Sequence, residues 1–500
     1  MKTPAVRLRL FLASWIVFAA FFATNIQREH YPAMALAEHG DYTVDAFHPG
    51  FHSDIFQYKD GHAYIGNNLG TSTMAAPLLV LFRPLLDALE RREKAALAAK
   101  PSTDSAPAYD TGYKNRAELF RKVAERGWTM RFGAVAAITA ALFIAPLSAL
   151  CVLLTFDFLR RRGIAVGRAL GLALLFGFAT PVFFRSANLT NNMPVMYAVY
   201  GAFLLLWKDD AGSPSRLRHV LAGFLCGLAL FCDYAAVVPC LAFGGWILLR
   251  NLTGARRPAG TAGVLNILAF GLAAVPPILA LLYTQKLCFG GWFIIGQQAM
   301  PAVNFTDRGW RGFDWPNAVV FGANFADPRF GLLAYAPLLA LGFLPPRPKD
   351  AAAALPWRPW LFAFTYVMLF LLFCAGNQYS LMQFNTGVRY LMPVVPFIFL
   401  SACNLLARLP GPLFLLVAVP SVVHAAVTTM ARDFSGREYH VGHAWDFILA
   451  NGPRLPWLHV LQSTSAGRAL PPGPWPHLAL IIIVLGAVTL LLRPAFRRAA

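Results

Sequence analysis

Charge is scarce in this chain. Asp, Glu, Lys and Arg make up 13% of its 500 residues, against roughly 25% in ordinary soluble domains, which excludes a conventional water-soluble fold. Acids are the scarcer sign: 24 Asp and Glu stand against 43 Lys and Arg, a formal net charge of +19. Cysteine is also sparse, with seven residues. Cys151, Cys226, Cys232, Cys240, Cys374 and Cys403 sit inside apolar runs, so they read as small core residues, not as a disulfide framework or a metal site. The chain lacks Gly-x-x-x-x-Gly-Lys, His-Glu-x-x-His, Gly-x-Ser-x-Gly and the dinucleotide fingerprint. An ATP-driven pump, a zinc protease of that type and a nicotinamide enzyme are therefore without support.

What is present is apolar. Hydrophobic residues make up 57% of the chain and the mean hydropathy is +0.52. They come in blocks of roughly 15–25 residues, the length that crosses a hydrocarbon core of ~30 Å at ~1.5 Å per residue. Blocks near 8–25, 130–157, 166–184, 193–207, 218–232, 235–249, 262–286, 330–344, 359–375, 391–408, 411–428 and 477–492 predict an all-α polytopic membrane protein of about twelve spans. The pair 218–249 reads as two spans joined by a tight turn, because Asp233 and Pro239 interrupt it.

Basic residues punctuate these blocks instead of forming one face: Lys2, Arg7 and Arg9; Arg160 to Arg162; Arg216 and Arg218; Arg256 and Arg257; Arg347 and Lys349; Arg493, Arg497 and Arg498. That pattern argues against nucleic acid and suits short cytoplasmic loops. An even span count with basic clusters at both ends predicts that both termini face the cytoplasm. The first apolar stretch, Leu10 to Thr24, is followed by Asn25-Ile-Gln-Arg-Glu-His, which offers no small-residue cleavage site, so an uncleaved first span is expected over a cleaved leader.

Segments 26–129, 287–329, 376–390 and 429–476 fall outside the spans as outer loops. The expected organisation is a first module over 1–290, with loop 26–129 bearing the site, and a second over 291–500. Within the first loop, Thr71 to Leu89 is apolar but broken by Pro77, Arg83, Pro84 and Asp87, which suggests a helix lying in the interface. Residues 90–127, with Glu90-Arg-Arg-Glu-Lys and Pro101-Ser-Thr-Asp-Ser, read as a solvated insertion.

The chemistry-bearing residues concentrate just after the first span. Asp41 and Asp45 precede a His48-Pro-Gly turn, and Asp54 follows it. Then come Gly61-His62, Tyr64, Asn67-Asn68, Gly70-Thr-Ser72 and Ala76-Pro77. A carboxylate here suits the general base for an acceptor hydroxyl or amine, with basicity raised by the apolar interface. Asp41, Asp45 and Asp54 are also a candidate set for a divalent cation, though no full ligand set is visible. Later come Asp327-Pro-Arg-Phe-Gly331-Leu-Leu-Ala-Tyr335-Ala-Pro337 and Gly387-Val-Arg389-Tyr390-Leu-Met-Pro393-Val-Val-Pro396. Arg389 stands where a polar loop re-enters the membrane, a position from which guanidinium can take phosphate bidentately. Arg185 with Asn188, Asn191 and Asn192 ends a span on the same side and can line the same cleft, or simply cap helices. Trp292, Trp310, Phe313 and Trp315 read either as sugar-stacking groups or as an interfacial belt.

These three strings, in this order, resemble the GT-C glycosyltransferases, specifically the bacterial protein-mannosyltransferase-like membrane group. Ala63 and Leu69 depart from the family's aromatic and Pro, and Gln378 to Asn385 replaces its Trp and paired Gly. The resemblance implies a GT-C-like bundle and inverting transfer of a sugar from a polyprenyl-phosphate donor to an extracytoplasmic acceptor, in a bacterial cytoplasmic membrane. It implies Asp45 or Asp54 as the base, Arg389 with Tyr390 at the phosphate, and His62, Tyr64, Asn67, Asn68, Arg185 and Asn192 around the substrate. A lipid or polar-solute carrier, and a non-catalytic assembly protein of the same fold, are the competing expectations. A carrier places ionisable groups near the bilayer midplane, whereas here the acids lie outside the spans.

Overall fold

The structure, a computed structural model, describes residues 3–99, 114–207, 215–253, 261–302, 308–346, 353–432, 439–464, 467 and 469–496. The Pro101–Ser105 run and the basic residues at 256–257, 347–349 and 497–498 lie outside the described residues.

Helices dominate. After α1 (Thr3–Ala20) come α2 (His30–Glu38), a hairpin of β1 (Ile55–Gln57) and β2 (Ala63–Ile65), α3 (Gly70–Ala99) and α4 (Lys114–Glu125). Next are α5 (Thr129–Thr139), α6 (Ala145–Arg161), α7 (Val166–Phe178), the short α8 (Pro181–Arg185), α9 (Asn192–Leu206), α10 (Arg216–Cys232), α11 (Val237–Thr253) and α12 (Thr261–Phe289). The remainder is α13 (Gly296–Ala299), α14 (Ala318–Ala326), α15 (Leu332–Tyr335), α16 (Trp357–Gly376), α17 (Val395–Leu406), α18 (Gly411–Met430), α19 (Val441–Asn451), α20 (Pro456–Gln462) and α21 (Trp475–Phe496).

Six helices are long and apolar enough to cross a bilayer: Gly70–Ala99, Thr129–Arg161, Thr261–Phe289, Trp357–Gly376, Gly411–Met430 and Trp475–Pro494. Four shorter apolar helices join them, Val166–Phe178, Asn192–Leu206, Tyr234–Arg250 and Met392–Leu406. The protein is a multi-pass helical membrane protein. The turn expected between 218 and 249 is present: Asp233 accepts the Ala235 N–H at 3.0 Å and starts a single 3-10 turn between α10 and α11.

Two segments differ from expectation. Gly70–Ala99 is one helix that runs through both prolines and through Glu90–Lys94, longer than an interface helix over 71–89 and long enough to span. Pro77 and Pro84 are seven residues apart, so they share one exposed side, while Ser72, Ala75, Ala76, Leu79 and Leu86 form the buried one. The segment 330–344 is not a continuous span. It breaks into α15 and a 3-10 helix, Pro337–Phe343, since Pro337 cannot donate to the preceding turn.

Residues on both sides of the expected boundary at 290 share one buried apolar cluster. A continuous core crosses that boundary, with Phe203 of α9 stacked on Phe362 of α16 at 6.2 Å and Phe176 of α7 on Phe399 of α17 at 5.5 Å. The rod from α5 to α6 carries a π segment at Ala140–Ile144, and its strained carbonyls find donors: Trp15 Nε1 to Ala141 O at 2.7 Å and Tyr197 Oη to Ile144 O at 3.2 Å.

Helices α10 and α12 pack along each other. They approach through Gly223-Phe-Leu-Cys-Gly227, a small-xxx-small face. A Cβ on Gly223 would lie 2.0 Å from Phe270 O, and one on Gly227 2.4 Å from Ala274 O. Gly223→Val and Gly227→Val are each expected to destabilise by about 1–3 kcal/mol, read as a lower thermal midpoint of the detergent-solubilised chain. An unchanged midpoint would show that the two backbones do not touch.

Candidate active site

The site is assembled at the ends of several helices, from the segment after α1 inward. Ala23 N–H bonds Ala187 O at 3.0 Å and Asn188 Nδ2 bonds Asn25 O at 2.8 Å, which ties that segment to the α8–α9 turn. His30 fixes the next step. Its Nδ1 accepts from Gln27 N–H at 2.9 Å, and its Nε2 faces Thr139 Oγ1 at 3.2 Å. Arg28 and Glu29 are thereby pointed into the bundle.

Arg28 is the hub. Its Nη1 donates to Asp54 Oδ2 at 3.0 Å and its Nε to Glu29 Oε1 at 3.3 Å. Glu29 is 5% exposed. Its Oε1 also accepts the Asn191 N–H at 3.3 Å, and its carbonyl accepts from Ser72 Oγ at 2.7 Å. Burial opposes the charge on Asp54, but His52, Arg28 and Arg389 outweigh it and hold the carboxyl down at about 2. Burial likewise opposes the Arg28 charge, while Glu29 and Asp54 raise its pKa. Both partners therefore stay ionised.

Arg389 faces this pair from the opposite side of the chain. Its main-chain N–H and that of Tyr390 both donate to Gln383 Oε1, at 2.9 and 2.8 Å, and Gln383 is itself held by Asn324 Oδ1 at 3.1 Å. The guanidinium lies 4.6 Å over the Tyr390 ring and donates from Nη2 to the Tyr390 hydroxyl at 2.8 Å. Its Nε is buried and has no partner. Arg185, 1% exposed, donates from Nη1 to Thr386 O at 3.1 Å, and its Nε and Nη2 are buried without partners. Burial, Arg432 and Arg389 all act against the Arg185 charge, and Glu29 supports it. No carboxylate lies within 4.0 Å of Arg185 or Arg389 among the described residues. A buried cation without a counter-charge in contact costs several kcal/mol, so Arg185, with half-buried Arg389 near it, calls for an anion.

A third acid faces the same space. Asp233 is half-buried at the α10–α11 turn; one carboxylate oxygen caps Ala235, and burial raises its pKa even against Arg28 and Arg389. The end of α10 reaches the loop because Gly70 starts α3 directly against it: a Cβ there would lie 2.6 Å from Phe231 O.

The structure divides the expected site residues into two groups. Asp54, Arg389, Tyr390 and Arg185 come together, with Asn68 and Asn192 buried at the starts of α3 and α9 beside them. Asp45 does not join them. Its Oδ1 accepts the Ala63 N–H at 2.5 Å and its Oδ2 meets His62 Nδ1 at 2.8 Å, on an exposed edge of the hairpin. The hairpin register decides this. Phe56 pairs with Tyr64, so Tyr64 packs inward against Phe289 and sends its hydroxyl to Asp60 at 2.9 Å. His62 is left on the outer face. Asn67 is half-buried where Gly296 packs on the chain.

The three aspartates offered for a cation are spent separately. Asp41 accepts from Thr43, Asp45 from Ala63 and His62, and Asp54 from Arg28. Among the described residues no group of three or more His, Cys, Asp or Glu side chains could hold an ion.

Arg28, Glu29 and His52 were not singled out in the sequence. One signal for Arg28 was available, a basic residue at the end of the first apolar stretch expected to face outward, where the positive-inside rule does not place it. Comparison of the chain with protein-family models, with curated proteins and with solved structures finds no match in any of the three.

The exposed dyad gives a pH expectation. Its hydrogen bond to Asp45 and the Asp45 charge raise the His62 pKa above the ordinary value of 6.5. The hairpin clamp is therefore at full strength below 6.5 and is lost as pH rises through the raised value. Histidine-labelled NMR should find His62 titrating above its ordinary value, and Asp45→Asn should bring it back. A His62 that titrates ordinarily in the parent would remove the clamp.

Proposed function

We propose that the protein is a GT-C-type membrane glycosyltransferase that moves a sugar from a polyprenyl-phosphate donor to an extracytoplasmic acceptor with inversion. The observation that carries this is a pair of guanidiniums, buried Arg185 and half-buried Arg389, with no carboxylate in contact among the described residues; Arg389 acts electrostatically on Asp54, and Arg185 on neither of that pair but with Arg389 and Glu29. The resemblance of the loop after α1 and of Gly387 to Pro396 to the family's motifs points the same way. The setting is a bacterial cytoplasmic membrane with both termini in the cytoplasm, as the basic clusters suggest.

The donor phosphate docks on Arg389 and Arg185. The acceptor hydroxyl attacks the anomeric carbon and its proton passes to Asp54. The carbon–oxygen bond to phosphate breaks, and its electron pair stays on the phosphate, where the guanidiniums stabilise the charge that develops. A carboxyl held at about 2 is a weak base. Donor binding offsets the cationic field of Arg389 on Asp54 and so raises its basicity once the substrate is seated. Asp45 serves as the hairpin clamp in this scheme. Asp233, with its raised pKa, is the second candidate for the base.

A carrier is the rival reading, favoured by the helix breaks at Ala179–Thr180 before α8 and at Ala336 before Pro337. The two separate in a purified, reconstituted system. Incubation with a panel of synthetic polyprenyl-phosphoryl hexoses, with a cell-envelope extract as the source of acceptor hydroxyls, is expected to release polyprenyl phosphate. Asp54→Asn is expected to lower that release about 10²–10⁴-fold, and Arg389→Gln about 10²–10³-fold. Asp45→Asn should stay within a few-fold of the parent. Full release from both Asp54→Asn and Arg389→Gln would overturn the reading. Donor movement across the vesicle without release would identify a carrier, and neither activity an assembly protein.

A further inference from the structure

The turn between α8 and α9 holds unsatisfied groups of a different kind from the arginines. Asn68, Asn188 and Asn191 are 3%, 2% and 0% exposed. Each sends its amide nitrogen to a main-chain carbonyl: Asn68 to Leu230 at 3.0 Å, Asn188 to Asn25 at 2.8 Å and Asn191 to Asn68 at 3.4 Å. With the nitrogen anchored in this way, the orientation of each amide follows from its bonding. In all three the leftover atom is the oxygen, and all three oxygens are buried without a partner. Thr190 Oγ1, in the same turn, is a fourth. An unsatisfied buried polar group costs about 1–3 kcal/mol, so several in one neighbourhood need a reason.

The three amide oxygens only accept hydrogen bonds, and the Thr190 hydroxyl can accept as well as donate, so a partner common to all four must donate. A metal or ammonium ion is one kind of partner and a neutral hydroxyl the other. Local charge decides between them. Asn191 is bonded through its N–H to Glu29, and Glu29 is already engaged by Arg28 at 3.3 Å. Arg185 lies three residues before Asn188, buried and without a carboxylate partner. A further cation would meet two guanidiniums, and like charges about 4 Å apart repel by about 4 kcal/mol at an effective dielectric constant near 20. Neutral hydroxyls avoid that repulsion.

We infer that Asn68, Asn188, Thr190 and Asn191 form the subsite for the hydroxyl groups of the transferred sugar, next to the phosphate held by Arg185 and Arg389, and that the sugar is an uncharged hexose. The inference rests on the glycosyltransferase reading; of the residues expected around the substrate it keeps Asn68, drops His62 and Tyr64 of the hairpin, and adds Asn188, Thr190 and Asn191 of the α8–α9 turn. Glu29 on the same wall disfavours a carboxylate-bearing sugar.

The test compares undecaprenyl phosphate with its mannosyl, glucosyl, galactosyl and glucuronosyl phosphodiesters, bound to the full chain in nanodiscs and followed by native mass spectrometry. At least one neutral hexosyl lipid should bind about tenfold or more tighter than undecaprenyl phosphate, and the glucuronosyl lipid should gain nothing. Asn188→Ala and Asn191→Ala should lose that increment while binding undecaprenyl phosphate as the parent does. Thr190→Val keeps the side-chain shape and removes only an unpartnered oxygen, so it should lose several-fold of the increment even if the Asn variants fold poorly. Parent-like discrimination in Thr190→Val and in the folded Asn variants, or no neutral hexosyl lipid exceeding the bare phosphate, would overturn the inference and leave buried water as the partner of these oxygens. If the parent binds neither undecaprenyl phosphate nor any glycosyl lipid, the glycosyltransferase reading falls as well, so the two failures are distinct.

Discussion

Holding guanidinium groups inside an apolar helical bundle is the constraint around which the candidate site of this protein is organised. Arg28, Arg185 and Arg389 reach the same region from three distant parts of the chain. Among the described residues, Arg28 alone of the three has carboxylates in contact, Asp54 at 3.0 Å and Glu29 at 3.3 Å. That pair of acids fixes the loop after α1 against the bundle, because either acid lost would leave a buried charge exposed to a low dielectric. Arg185 and Arg389 lack such contacts, and their unsatisfied nitrogens turn the same physics into a demand for an anion.

The scaffold makes this convergence possible through close backbone approaches. Glycine at 223 and 227 lets α10 lie directly on α12, and Gly70 lets α3 begin against the last turn of α10. A side chain at any of these positions would hold the elements apart and draw the loop carrying Asp54 and Asn68 away from the α8–α9 turn. On the other side, Gln383 gathers the main-chain N–H groups of Arg389 and Tyr390, so the cation is positioned by a neutral amide that does not reduce its charge. Van der Waals packing of small residues thus decides the geometry, and electrostatics acts within it.

Much of the architecture was readable in advance, and the exceptions are informative. The turn at Asp233 was visible because an acid and a proline interrupt one long apolar block. The break at 330–344 was less visible, since Pro337 lies among residues apolar enough to span, and hydropathy does not register a missing donor. In the site, Asp54 and Arg389 stood out as motif residues. Asp45 stood out equally and belongs elsewhere, because the pairing of Phe56 with Tyr64 turns its partner His62 to the outer face. Arg28 and Glu29 were passed over because, adjacent in sequence, they look like an ordinary polar end to the first span.

Composition and periodicity alone determine that this chain lives in a membrane, that it is helical, and roughly where its apolar segments begin and end, because bilayer thickness and backbone hydrogen bonding leave few alternatives. Which charged groups meet was decided by the tertiary structure. Partners such as Arg28 and Asp54, or Asn191 and Glu29, are 26 and 162 residues apart, and no local pattern encodes such a distance. Hairpin register and glycine-mediated helix contact set those meetings, and both depend on the whole chain being folded.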